Sequence, residues 1–179
     1  MHPFDTIDIA ALAFIEECGY VPTLDFLRKN KALGLPTDFL NKDHDLLKLI
    51  FYHKEKSLKA LKYTITNDLK ELFFDHIMHY LDLWQEHKKA YRIILSHSLK
   101  SMETLPLIYH HHTKILRYPL EKKPGFPSCK QAIFLHGLLG IFTLTLFTWF
   151  EDTTLDQGPT MAKLSELLKK SENIYTFSF

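Results

Sequence analysis

The sequence predicts an all-α fold of about nine helices. A three-helix, helix-turn-helix-like module (1–47) precedes a helical ligand-binding and dimerisation domain (48–179). Three observations carry that expectation. Apolar residues recur at intervals of three and four through most of the chain, and no segment alternates as a strand would. The run QAIFLHGLLGIFTLTLFTWF, at 131–150, holds twenty residues without a formal charge. As a helix it would be about 30 Å long. It is apolar on nearly every face, so it needs cover on all sides. Its length suits a bilayer, but His136, Thr143, Thr145 and Thr148 interrupt it, and Lys130, Glu151 and Asp152 crowd its ends. The expectation is therefore a buried helix with a second copy of the chain covering one side. Leu139 and Leu146 are the residues expected in that homodimer contact.

The other elements follow in order. Ile7, Ala11, Phe14 and Ile15 share helical spacing within residues 4–18, and Gly19 is a natural C-terminal stop. Thr23 is placed to cap a short helix running to Lys31. Gly34, Leu35, Pro36 and Thr37 break the chain before a very short segment at 38–40. Asn41 is expected to cap a long helix, with Leu46, Leu47, Ile50, Leu58 and Leu61 inward and six lysines between Lys42 and Lys62 outward. Asn67 is expected to cap the next, whose apolar face includes Leu72, Phe73, Ile77, Tyr80, Leu81 and Trp84. A polar joint at 85–89 leads to a shorter helix through Leu99, then to a run at 105–118 that should end at Pro119. Residues 122–127 are the clearest loop, Ser128 caps the uncharged helix, and an amphipathic helix at 160–171 closes the chain.

Composition narrows the function classes. The 179 residues carry 46% hydrophobic and 24% charged side chains, as a folded globular chain does, with a net charge of +1. That balance gives no global reason to expect nucleic acid or anionic membrane. Cys18 and Cys129 stand far apart without C-x-x-C spacing, so neither a disulfide framework nor a zinc site follows. The acidic N-terminus lacks the basic region of a signal peptide, and a cytoplasmic location is the expectation. No P-loop, dinucleotide fingerprint, nucleophile elbow or H-E-x-x-H occurs, so neither catalysis nor a cofactor is expected.

The layout resembles the tetracycline-repressor (TetR) superfamily. Ala11-Leu12-Ala13-Phe14-Ile15-Glu16-Glu17-Cys18-Gly19-Tyr20 is similar to the A-L-x-L-F-x-E-x-G-Y ending of that family's first helix. Phe39 with Lys42 to Leu47 resembles its F-x-S-K-E-x-L-L segment, with one extra residue here. Trp149 to Thr153, and Thr160 to Leu164, resemble its W-x-x-D-x-S and T-x-x-x-L endings. The Coq9-type branch, lipid-binding proteins of ubiquinone biosynthesis, is similar as well. Leu33-Gly34-Leu35, the spacing Phe39, Asn41, Leu46, Leu47, and the set Asp152, Thr153, Thr154, Asp156, Thr160 follow its patterns. That branch's aromatic W-Y has no counterpart around Ser128.

The resemblance implies a homodimeric regulator that senses an apolar small molecule, or else a carrier of an isoprenoid lipid. For DNA it implies contacts at Thr23, Thr37 and Lys42. Two features of the chain oppose sequence-specific DNA binding. Gly34 and Phe39 are only five positions apart, which leaves barely one turn for a recognition helix. The first 47 residues hold eight acids against four bases, where phosphate binding wants a basic face. The remaining residues hold 18 bases against 13 acids, which would suit a peripheral membrane contact.

The ligand pocket is expected between central helices, walled by Phe73, Ile77, Trp84, Ile108, Leu138 and Phe142, with His136 as polar contact and Gly140 leaving space. His110-His111-His112 would point in three directions on a helix, so no metal site is expected there. His76 and His79 share a face but have no E-x-x-H partner.

Overall fold

The structure is a computed structural model describing residues 7–29, 41–42, 44–61, 68–122 and 128–176. The chain is all-helical. Among the described residues there are eight α-helices, one 3-10 turn and no strand. In order they are α1 (Ile7–Cys18), α2 (Leu24–Lys29), α3 (Asp45–Ala60), α4 (Leu69–Asp82), the 3-10 turn Gln85–His87, α5 (Lys88–Ser98), α6 (Leu105–Lys122), α7 (Ser128–Glu151) and α8 (Gly158–Thr176). Two compact units divide the chain. The first is Met1–Leu61 with Leu83–His111, and the second is Lys62–Asp82 with His112–Phe179. Residue 47, the expected module boundary, lies inside α3.

The first unit is built on α1. Its Ala11, Leu12 and Ile15 are buried, and it packs against α3 and α5. Gly19 ends the helix with φ +76°, its N–H donating to the Ile15 carbonyl at 2.9 Å. That left-handed conformation is open to glycine and strained for any L side chain. Four residues later Thr23 starts α2, its Oγ1 accepting from the Phe26 N–H at 3.3 Å. Phe14, Tyr20 and Phe26 meet across this turn at 5.5–6.4 Å between ring centroids, fixing where the chain re-enters. The Glu16 carboxylate on α1 accepts the Ala90 N–H at 3.3 Å. It thereby places negative charge at the N-terminus of α5, where the helix dipole favours it.

Asn41 does not cap α3. The helix starts four residues later, and the Asp45 carboxylate reaches back to the N–H groups of Asn41 and Lys42, both at 2.9 Å. Burial alone would raise the Asp45 pKa, but the Asn41 hydrogen bond, the Lys48 ammonium at 3.0 Å and the Lys42 hydrogen bond together lower it to about 2. Asn67 lies outside the described residues. The side chain that caps α4 is Asp68, accepting from Lys70 N–H at 2.8 Å. Thr37, the segment 38–40 and the loop at 123–127 also lie outside the described residues, as does the Ser128 side chain.

The second unit packs α8 against α7 and α4. Leu72, Phe73, Ile77, Tyr80 and Leu81 of α4 are buried, as are Leu164 and Leu168 of α8. Helix α6 runs on to Lys122 and contains Pro119, where the sequence predicts its end. Pro119 has no N–H for the carbonyl of Ile115, four residues back, and its ring crowds that group. The vacancy is filled from α4: His76 Nε2 lies 2.9 Å from the Ile115 oxygen. A carbonyl only accepts, so His76 carries its proton on Nε2.

Asp152 joins α7 to α8. Its Oδ1 accepts from Thr154 N–H at 3.0 Å and Thr154 Oγ1 at 2.6 Å; its Oδ2 accepts from Thr160 N–H at 3.0 Å and Thr160 Oγ1 at 2.6 Å. Burial alone would push this carboxyl up, and the four bonds outweigh it, holding the group below the ordinary carboxylate range. Gln157, at φ +52°, closes the same turn by donating to Asp82 Oδ1 at 2.7 Å.

Replacing Asp152 with Ala strands donors in a site only 7% exposed. The expected loss is about 3–5 kcal/mol, read by urea denaturation at pH 7. Because the native carboxyl is the stronger acid, its contribution is present above its ordinary value of 3.8 and is lost as acid protonates it. A loss under about 1 kcal/mol would mean that packing alone holds the α7–α8 turn.

Candidate functional site

The residues expected to wall one pocket fall into two groups. In the second unit, Phe73, Ile77, Leu138 and Phe142 are buried, and the rings fill space instead of framing it. Phe73 meets Phe134 at 5.4 Å, and Phe142 meets His112 at 5.0 Å and Tyr80 at 5.8 Å. Trp84 and Ile108 belong to the first unit. Trp84 stacks on Tyr91 at 4.2 Å, with Phe51 at its edge and Lys54 Nζ 5.0 Å from its ring. It lies beyond α4, which ends at Asp82, where Lys54 Nζ donates to the Leu83 carbonyl at 2.7 Å. His136 is exposed, its Nδ1–H donating to the Ala132 carbonyl at 2.7 Å. Gly140 is exposed too, and a Cβ there would meet nothing within 4 Å. It therefore looks outward and not into a cavity.

Of the two residues expected in the dimer contact, Leu146 is 5% exposed and belongs to its own unit's core, while Leu139 is half-buried. The open face of α7 lies elsewhere, at Ile133, Gly140, Leu144 and Phe147. The hydroxyls of Thr143 and Thr145 are satisfied within the helix, donating to Leu139 and Ile141 carbonyls at 2.8 and 2.9 Å.

The three consecutive histidines diverge as helical geometry requires. His110 is exposed, His111 stacks on Phe51 at 4.3 Å, and His112 sits against Phe142. His79 Nδ1–H donates to the Asp75 carbonyl at 2.6 Å, and His76 bonds Ile115, so each uses one ring nitrogen on backbone. No cluster of three or more metal-ligating side chains occurs among the described residues.

Thr23 and Lys42, two of the three positions suggested for DNA, are exposed in the first unit. Thr23 Oγ1 is engaged as the α2 cap. Beside the α1–α2 turn the same unit holds a groove of about 420 Å³. Gly19, Tyr20 and Val21 form one side, and Arg92, Ile93 and Lys100 are on the other. Through Val21 and His97 it continues into a pocket of about 200 Å³ whose lining includes Thr23, His44, Leu47, Thr104 and one acid, Glu103. The 420 Å³ part combines an apolar floor with two permanent cations, Arg92 and Lys100, and the acid Glu103 belongs to the smaller pocket beyond it. Arg92 and Ser96, four residues apart, share one face of α5, and Lys100 follows in the turn beyond the helix.

No family model matches the chain, and neither a curated protein nor a solved structure matches it.

The buried His76 has a pH consequence. Burial pulls its pKa from 6.5 to about 4, the Ile115 hydrogen bond offsets part of this, and His79 adds to the lowering. Above 6.5 the ring is neutral in native and unfolded chains alike. Between 6.5 and about 4 only the unfolded chain takes the proton, so stability falls across that window. The full loss is on the order of 3 kcal/mol. His76→Gln keeps a donor but does not titrate. Its stability deficit at pH 7.5 should narrow steadily towards pH 4, and a constant deficit would assign the titration to another group.

Proposed function

We propose that the chain is a TetR-type, ligand-responsive helical binding protein, cytoplasmic and working as a homodimer, that takes an apolar small molecule carrying an acidic group. The observation that supports this reading is the groove against the α1–α2 turn. Tyr20, Val21 and Ile93 offer apolar contact, and Arg92 and Lys100 offer cations to a carboxylate or phosphate. The volume suits a small ligand. A molecule there touches the turn that sets α2 and the α5 wall at once, so it can bias the position of α2. Pocket residues in the aromatic core of the second unit are a weaker choice, because ring contacts already occupy that space.

The experiment compares palmitate with hexadecanol, which differ in charge and share a chain. Palmitate should raise the melting temperature, as a ligand specific to the native state must. Replacing Arg92 and Lys100 together with Ala should weaken palmitate about tenfold and leave hexadecanol unchanged. No shift with either compound overturns the ligand reading. For DNA, the eight acids and four bases of the first 47 residues predict binding without sequence preference, lost at physiological salt. Salt-resistant, nanomolar affinity for a palindromic duplex would restore a repressor's full DNA function.

A second reading is a Coq9-like carrier of an isoprenoid lipid. One observation favours it: Ala132–Glu151 is long and apolar enough to cross a membrane, with only a third of that window buried. Sedimentation of the protein with phospholipid vesicles would support this carrier over the regulator.

A further inference from the structure

The groove beside the α1–α2 turn does not stop where its cations do. Three depressions of the first unit run into one another. The first, of about 420 Å³, carries Arg92 and Lys100. It shares Val21 and His97 with the second, of about 200 Å³. The second shares His44 and Glu103 with a third, of about 660 Å³. Polarity changes along this path. Tyr20, Val21 and Ile93 give the first an apolar wall, and Val21, Pro22 and Leu47 continue it through the second. Among the described residues lining the third, Leu24 alone is apolar, and Asp25, Arg28 and Lys42 make it a charged place. An apolar chain lying in the first two therefore has to end in the second, against polar groups.

One polar group there is conspicuous for its lack of a partner. Thr104 lines the second depression and is 5% exposed. Its Oγ1 is closed to water and meets no hydrogen-bond partner. A buried hydroxyl in that condition costs free energy that a polar visitor can return. The side chain need not move far to meet one. A single χ1 step carries the Thr104 oxygen from one staggered position to another, so a group entering the depression can draw it inward. Glu103, exposed on the same lining, sets the sign of that group. Its carboxylate repels a second acid. An ammonium would be drawn to Glu103, but burying it beside Thr104 costs more than burying a hydroxyl.

We propose that the ligand of this groove is an ω-hydroxy acid. Its carboxylate pairs with Arg92 and Lys100, its chain lies along Tyr20, Val21 and Ile93, and its terminal hydroxyl bonds Thr104. This rests on the acidic, apolar ligand of the function proposed above and adds the chemistry of the far end.

The test is calorimetric titration of the full chain with acids of about eight to sixteen carbons. At each length it compares the plain acid, the ω-hydroxy acid, the ω-amino acid and the α,ω-diacid. At one length or more the ω-hydroxy acid should bind about tenfold tighter than the plain acid, with the diacid weaker than both. Thr104→Val keeps the shape of the side chain. It should remove the hydroxy preference and leave plain-acid affinity unchanged. It should also melt no lower than the wild type, because the hydroxyl it lacks has no partner in the native chain. Plain acids that bind while no ω-hydroxy acid exceeds its counterpart overturn the inference and leave the proposed ligand class intact. A hydroxy preference that survives Thr104→Val overturns the role of Thr104, as does a variant that melts several degrees lower. An ω-amino acid that binds tightest overturns the neutral end. No binding by any acid overturns the inference together with the reading beneath it.

Discussion

The Asp152 carboxylate is the constraint on which the second unit turns. An α-helix of 24 residues with almost no polar face gives little information about where the chain should go next. Hydrophobic packing is non-directional, so α8 could lie along α7 in many ways. Four hydrogen bonds to one buried carboxylate remove that freedom. Two come from the turn at Thr154 and two from the first turn of α8 at Thr160, so the helix can begin only where both sets are met. Leu164 and Leu168 then fall inward at four-residue spacing. The backbone strain at Gln157 is held by the same arrangement, its side chain fastened to Asp82 on α4.

What the sequence made legible was local. Gly19 as a stop and Thr23 as a cap depend on groups within four residues, and both stand as expected. The polar joint before α5 is the 3-10 turn. Misplaced features depend on groups far along the chain. The start of α3 is an exception, misplaced by a local group: the Asp45 carboxylate accepts the N–H groups of Asn41 and Lys42, and no side chain caps the helix at His44. Pro119 reads as a terminator because the donor that replaces its missing N–H at the Ile115 carbonyl is His76, 39 residues away, and cannot be inferred from periodicity.

The candidate site was less legible for a related reason. An aromatic helix face has the same spacing whether it encloses a cavity or packs solid, and Phe73 and Phe142 pack solid. Trp84 shares their spacing, but α4 ends at Asp82, and Lys54 takes the Leu83 carbonyl before that residue is reached. Small residues are ambiguous in the same way. Gly140 makes room, and sequence does not say whether the room lies inside the subunit or outside it. The groove beside α1–α2 needs two segments some seventy residues apart, and periodicity within either one does not reveal it.

The Pro119–Ile115–His76 contact also constrains how this chain can change over generations. With Pro119 in place, losing His76 strands a buried carbonyl, a step that selection would resist. An alanine at 119 restores an internal donor, and because a carbonyl oxygen has two lone pairs the histidine can stay bound meanwhile. Once that has happened, position 76 is released to drift among apolar residues. The two substitutions are therefore accessible in one order and obstructed in the other. Chains descended from a common ancestor should retain the proline only alongside a donor at 76, whereas a donor without the proline is permitted.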